Sequence, residues 1–248
     1  MPSLRLGDRV VSAEAIVFDK DGVLEEFQSF WGAVTELRAE GLGFPPGGED
    51  HAELCALLGY PAGRVDPDGP LVLATAAESA VLATGYLYRK HGVAWPEGRS
   101  RVARAFAEAF ARVPPAALRA CPDVLPALAA LRAAGWRLGV ATTDSVGHAR
   151  ETFRALGLDA YIEAVAGGDE VARGKPDPEM YHRACERLGV RPEATVVVGD
   201  GINDLLMGRN AGCAATIGVL SGVSDRAALE PAADCILGGV RELPALAT

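Results

Sequence analysis

Three polar residues stand where apolar runs stop. Asp19 follows Ala15-Ile16-Val17-Phe18, Thr142 follows Leu138-Gly139-Val140-Ala141, and Asp200 follows Thr195-Val196-Val197-Val198-Gly199. Short continuous apolar runs of this kind read as strands buried on both faces of a parallel sheet. In an open α/β sheet, ligands bind in the crevice beyond the carboxyl ends of the strands. Three such ends bring two carboxylates and one hydroxyl to a single crevice. Asp21 adds a carboxylate, and Asp204 lies about one helical turn beyond Asp200. Carboxylates crowded this closely repel one another, and a hard divalent cation relieves the repulsion. An all-oxygen set with few protein groups suits Mg2+. The four histidines, His51, His91, His148 and His182, are scattered and read as surface or capping residues. The five cysteines form no CxxC pair and read as reduced, buried core thiols, so zinc has no support. Farther along, Gly174-Lys175-Pro176-Asp177-Pro178 precedes a helix expected from about Glu179. Its prolines stiffen the loop, so the Lys175 ammonium can be aimed at an anionic oxygen and balance the carboxylates.

The elements that must position these groups alternate. Beyond the three strands named, a weaker one is expected over Tyr161–Val165 and another over Ala214–Val219. Between them Val124, Leu125, Leu128 and Leu131 share a helical face that ends near Gly135. Phe153 and Leu156 precede Gly157, and Met180, Tyr181, Ala184 and Leu188 precede Gly189. Strand and helix in alternation give an α/β fold with a doubly wound parallel-sheet (Rossmann-like) core. The rhythm breaks between the first strand and about Arg119, where helical patterns alone occur: Phe30–Glu40, Ala52–Leu58, Leu71–Lys90 and Pro96–Val113. In the last of these, Val102, Phe106, Phe110 and Val113 form the expected buried face. The domain reading is therefore a catalytic core of residues 1–24 and 120–248, with an inserted all-helical cap domain over 25–119.

Bulk properties narrow the function classes. The 248 residues are 49% hydrophobic and 23% charged, ordinary for a globular protein with a sizeable core. A net charge of −9 argues against nonspecific binding to nucleic acid or to a membrane surface. No signal peptide is read at the N-terminus. The apolar stretch Leu71–Tyr88 carries Glu78 and several hydroxyl residues inside it, so a buried or amphipathic helix is expected rather than a membrane span. A cytoplasmic protein, monomer or homodimer, is the expectation.

Taken together, four segments resemble the motifs of the haloacid dehalogenase superfamily: Asp19-Lys20-Asp21-Gly22-Val23-Leu24, then Thr142, then Lys175, then Val198-Gly199-Asp200-Gly201-Ile202-Asn203-Asp204. The resemblance spans the core, and the position of the insert matches the helical cap of many members. It implies that Asp19 attacks phosphorus and that Asp21 acts as general acid and base. Mg2+ is held by Asp19, the backbone carbonyl of Asp21, and Asp200. Thr142 and Lys175 bind the phosphoryl oxygens, with backbone groups around Gly22 and Thr143 completing the cradle. Asp204 and Asn203 orient Lys175 from behind. An acid at position 21 points to turnover of the phosphoenzyme, as in phosphatases and phosphomutases. Val23 stands where many phosphatases carry Thr and some sugar phosphomutases carry Val. The implied function is a Mg-dependent phosphatase of a small phosphorylated metabolite, phosphoglycolate-like or a sugar phosphate. A hexose phosphomutase similar to β-phosphoglucomutase is the alternative, and a catalytically dead phosphometabolite-binding protein is the alternative of another class. Substrate contacts in the cap are expected among Glu26, Gln28, Ser29, Arg38, His51 and Arg64.

Overall fold

The computed structural model describes residues 2–248. The chain divides into two compact units, Met1–Glu26 with Arg119–Thr248, and Phe27–Leu118.

The first unit is built on a sheet of six strands. β1 (Ser3–Leu6) and β2 (Arg9–Ser12) form a separate antiparallel hairpin through Gly7, which takes φ +61. Then come β3 (Ala15–Phe18), β4 (Arg137–Thr142), β5 (Ala164–Gly167), β6 (Thr195–Gly199), β7 (Ala215–Val219) and β8 (Cys235–Leu237). They lie in the order β5-β4-β3-β6-β7-β8, every neighbouring pair parallel. Alternation explains why these strands are apolar throughout: Ile16 and Phe18 pack on one side with Leu128 and Val198, while Ala15 and Val17 pack on the other with Met180 and Tyr181. The chain winds outward from β3 through β4 to β5, then returns to β6 and winds the other way. The reversal point lies between β3 and β6, the place where a doubly wound sheet opens a crevice at its carboxyl edge.

The second unit is helical: α1 (Phe27–Gly41), α2 (Glu49–Leu57), α3 (Pro70–Leu73), α4 (Ala76–His91) and α5 (Trp95–Arg112). Its core joins Ala39, Leu54, Leu87, Val102 and Phe106. The expected single helix over Leu71–Lys90 is two helices. Thr75 breaks it, because its hydroxyl accepts from the Glu78 N–H at 3.2 Å while the Glu78 carboxylate accepts from the Thr75 N–H at 2.8 Å. That reciprocal pair starts a helix rather than continuing one. Leu73 and Val81 are exposed, so the stretch is not fully buried. Among the described residues, no helix is long and apolar enough to cross a membrane. The expected face on α5 is also only partly interior: Val102 and Phe106 are buried, whereas Phe110 is 36% exposed and packs edge-on against Trp31 at 5.7 Å. Val113 lies past the end of the helix.

Helices α6 (Val124–Ala133), α7 (Val146–Leu156), α8 (Glu179–Leu188), α9 (Ile202–Ala211), α10 (Arg226–Leu229) and α11 (Leu243–Leu246) belong to the first unit. α6 and α7 supply the hydrophobic cluster on one sheet face, α8 and α9 that on the other. β5 begins three residues later than the sequence pattern indicated. The Tyr161 N–H turns back to the Leu158 carbonyl at 2.9 Å, and the Arg150 guanidinium donates to the Ile162 carbonyl at 3.0 Å, so that backbone is spent before the strand starts. The passages into and out of the helical unit run side by side. Glu25 and Ala120 form an antiparallel bridge, the Glu26 N–H donates to the Arg119 carbonyl at 2.9 Å, and the Cys121 N–H donates to the Leu24 carbonyl at 2.9 Å.

Candidate active site

Asp19 caps the central strand. Its N–H donates to the Val198 carbonyl at 2.8 Å, extending the β3–β6 ladder by one bond and fixing where the side chain leaves the sheet. The chain then folds into a tight loop: the Leu24 and Glu25 N–H groups return to the Lys20 carbonyl, and the Gly22 N–H reaches the Glu25 carbonyl at 2.7 Å. Gly22 takes φ +77, and a Cβ there would lie 2.4 Å from an Asp200 carboxylate oxygen. Both backbone and space demand glycine.

Asp200, one residue past β6, is 4% exposed. Its Oδ2 accepts from the Val223 N–H at 2.9 Å, and a Cβ on Gly222 would come within 1.9 Å of that oxygen. The Ser221 hydroxyl donates to the Gly22 carbonyl at 2.7 Å. The loop after β7 therefore closes over Asp200 and ties itself to the loop after β3. Nothing in the sequence reading pointed to Ser221, Gly222 or Val223; the Ser-Gly pair two residues past an apolar strand was the available signal.

Lys175 comes from the segment between β5 and α8. That segment is braced on both sides: the Asn210 amide donates to the Pro176 carbonyl at 2.9 Å, and Asp177 accepts from the Glu179 N–H at 3.0 Å and pairs with Arg173 at 2.7 Å. The Lys175 side chain is 6% exposed, and its ammonium donates to Asp19 Oδ1 at 2.5 Å and to Asp204 Oδ1 at 2.7 Å. Asp204, in the first turn of α9, also accepts from the Gly201 N–H through Oδ2 at 3.0 Å. Thr142 is fully buried at the end of β4. Its hydroxyl oxygen accepts from the Asp144 N–H at 3.2 Å, which turns the hydroxyl proton away from that N–H and toward another acceptor. Thr143 and Asn203 are exposed, and Asp21 is partly exposed.

Oxygens of Asp19, Asp200 and Asp204 lie within 4.8 Å of one another, and all three residues are buried. Burial pushes the Asp19 carboxyl up to about 7 against the pull of Lys175, with Asp204 and Asp21 adding to the rise. Burial, then Asp204 and Asp19, push Asp200 well above the usual carboxylate range. Lys175 is raised as well: burial disfavours its charge, but Asp19 and Asp204 outweigh burial and hold it protonated. When all three carboxylates are ionised, the one ammonium leaves an excess of two negative charges, among oxygen donors alone; after burial, this is the repulsion that the raised Asp19 and Asp200 carboxyls register. This set fits a hard divalent cation. The converging carboxylates are Asp19, Asp200 and Asp204; the Asp21 side chain is not among them.

Asp21 belongs to a second cluster that the sequence reading did not find. Lys20, fully buried, places its ammonium 3.0 Å from Asp21 Oδ1, 2.7 Å from Glu25 Oε2 and 3.1 Å from Asp144 Oδ2. His148 Nδ1 lies 2.9 Å from the same Asp144 oxygen, so this histidine is a cluster member rather than a surface or capping side chain. Burial lifts Glu25 to about 7 against the pull of Lys20. Burial also lifts Asp144, but the His148 hydrogen bond and Lys20 outweigh it and hold the carboxyl below its ordinary value. His148 is raised in turn, first by that hydrogen bond. The cysteines are all free; Cys55, Cys121 and Cys185 are buried, while Cys213 and Cys235 are only half-buried.

Within the helical unit, Gln28 is engaged by Tyr60, Gly63 and Val65. Arg38 is buried against the Phe106 ring at 4.4 Å. His51 lies 3.9 Å from the Cys55 thiol, and Arg64 is exposed.

The family model described as haloacid dehalogenase-like hydrolase matches residues 13–212. The chain belongs to this family. Its curated relatives include proteins named as phosphatases. It is 31% identical over 216 residues to a phosphorylated carbohydrates phosphatase of Thermotoga maritima, covering 87% of this chain and 89% of that protein. It is 39% identical over 94 residues to a phosphoglycolate phosphatase of Nitrosospira multiformis, covering 38% of this chain and 41% of that one. Among solved structures, a putative beta-phosphoglucomutase from Thermotoga maritima superposes with a TM-score of 0.68 at 27% identity, over 94% of this chain and 97% of the other. The doubly wound, Rossmann-like α/β fold expected from the sequence is thus the fold of the family.

Proposed function

We propose that this hydrolase is a phosphatase of a small phosphorylated metabolite, working through an aspartyl-phosphate on Asp19. The observation that carries the reading is the Lys175 ammonium bonded to both Asp19 and Asp204 inside a cluster of buried carboxylate oxygens. An ammonium and an acidic cluster sharing one crevice can bind an anion whose oxygens replace those contacts.

In the first step an Asp19 oxygen attacks phosphorus. The bond from phosphorus to the ester oxygen breaks, and Asp21 gives its proton to that departing oxygen. In the second step Asp21 takes a proton from water as that water attacks phosphorus. The Asp19–phosphorus bond breaks, phosphate leaves, and both carboxyls return to their starting states. Lys175 and the Thr142 hydroxyl donate to the phosphoryl oxygens, where charge builds in both steps, and the backbone around Gly22 and Thr143 adds further donors. Asp204 holds Lys175 in place. Asp19 and Asp200, with the Asp21 carbonyl or Asp204, would hold Mg2+, which supplies positive charge for the phosphoryl oxygens.

Sugar phosphates are the favoured substrates, because the relative matched over most of both chains is named for phosphorylated carbohydrates. The structural neighbour named as a putative beta-phosphoglucomutase supports the alternative of a phosphomutase. The test is phosphate release from a panel of sugar phosphates and phosphoglycolate, with and without Mg2+, for wild type and Asp19→Asn. Mg2+-dependent release that disappears in Asp19→Asn is expected. Isomerised sugar phosphate without released phosphate would favour the mutase, and full activity in Asp19→Asn would overturn the nucleophile.

A further inference from the structure

We propose that Lys20 is a positioning residue for Asp21, and that Glu25, Asp144 and His148 hold Lys20 to that task. This rests on the reading of Asp21 as general acid and base. Lys20 occupies the position between nucleophile and acid, with no exposed surface, although lysine is among the residues least often fully buried. Its flexible four-carbon arm would ordinarily leave the ammonium free to wander. Here carboxylates from three places fix it: Asp21 in the loop after β3, Glu25 at the end of that loop, and Asp144 just past β4. Asp144 is itself held by His148, one turn along the chain at the start of α7.

Charge balance alone does not explain the arrangement. One carboxylate neutralises one ammonium, and Asp144, 3.1 Å away with its carboxyl held below the ordinary value, already does so. The further contact to Asp21 connects this buried cluster to a partly exposed side chain on the catalytic loop. A carboxyl group is planar, so an ammonium bonded to Oδ1 sets the plane and thereby aims both oxygens. An acid that must hand its proton to one oxygen atom loses rate steeply when misaimed. The cluster is thus a brace running from α7 through Asp144 and Lys20 to the proton donor, with Glu25 as its second anchor.

Leaving-group dependence tests this, because an ester whose leaving group needs no proton is indifferent to where the acid points. The kcat/KM values of the Mg2+-loaded enzyme are measured on p-nitrophenyl phosphate and on the best alkyl phosphate of the panel. Wild type, Asp21→Asn, Lys20→Met and His148→Ala are compared. Lys20→Met is expected to lose about 100-fold on the alkyl ester, the lower end of what general acid catalysis contributes, and only a few-fold on the aryl ester. His148→Ala, which leaves Lys20 in place, shifts the ratio in the same direction by a smaller factor and decides the matter should Lys20→Met fail to fold. Equal losses on the two esters in the folded Lys20 or His148 variant, with Asp21→Asn still selective for the aryl ester, would overturn the positioning role alone. Equal losses in Asp21→Asn would overturn the acid assignment and the proposal with it.

Discussion

At the scale of single residues, the site is set against the stability of the fold that carries it. Asp200 is almost wholly buried, with Asp19 and Asp204 close by. Its folded pKa lies above the unfolded value, so the folded state holds the proton more tightly. The contribution favours folding at low pH and is withdrawn as pH rises beyond about 4. Asp19 and Glu25, both raised to about 7, act with the same sign, while the lowered Asp144 opposes them. Asn cannot ionise, so Asp200→Asn is expected to raise the Tm of the metal-free protein, by more at pH 8 than at pH 5, and to blunt the rise in Tm on adding Mg2+. Thermal melts in chelator at both pH values check this; a gap that does not widen with pH would refute it. Gly222 offers a complementary change. Its φ is unremarkable, yet a Cβ would collide with Asp200 Oδ2. Gly222→Ala is expected to weaken Mg2+ affinity about 10- to 100-fold, the usual cost of disturbing what orients a metal ligand, as read by calorimetric titration. The positions of Asp19 and Asp200 were legible because apolar runs end at them. The loop over Asp200 and the cluster around Lys20 were not, since both depend on segments that only the folded sheet brings together. In the sequence Lys20 is only the residue between two motif aspartates, and His148 reads as a surface or capping histidine.

At the scale of elements, local signals succeeded where hydrophobic burial is two-sided and faltered at boundaries. β3, β4, β6 and β7 are continuous apolar runs, and such runs have few alternatives. β8 is three residues long with two half-buried positions, too short and too mixed to stand out. The β1–β2 hairpin carried a usable pattern, with Leu4 and Leu6 alternating before Gly7-Asp8, and it went unrecognised. The division between α3 and α4 was likewise written in Thr75-Ala76-Ala77-Glu78, a capping-box spacing hidden inside an apolar stretch. Thr75→Ala removes a cap contributing about 1 kcal/mol. Amide exchange through the first turns of α4 is then expected to accelerate about fivefold, with α8 unchanged. An unchanged rate in α4 would mean that packing, not the cap, holds that end.

For the molecule as a whole, chemistry and insertion are arranged around one strand. β3 is central in the sheet, carries Asp19 at its end, and leads into the loop where the helical unit begins. The parallel pairing follows from alternating strands and helices, which is why the fold class could be read from pattern alone, whereas the reversal between β3 and β6 needed the coordinates. How the helical segment is joined required coordinates, because the bridge between Glu25 and Ala120 pairs residues far apart in sequence.

That bridge makes the helical segment a detachable parenthesis in the polypeptide. The chain departs and returns through positions already joined by a backbone hydrogen bond, between Glu26 and Arg119, so a short turn can span the same gap. Removing residues 27–118 and linking Glu26 to Arg119 through Asn-Gly is expected to leave a folded α/β core, with a cooperative melt and the near-ultraviolet signal of buried Trp136. Loss of that melt would show that the inserted segment is part of the core's own folding unit. A junction of this kind lets length and sequence vary inside the parenthesis while the strand carrying Asp19 keeps its neighbours, so lineages sharing this sheet can diversify the insert without redesigning the core.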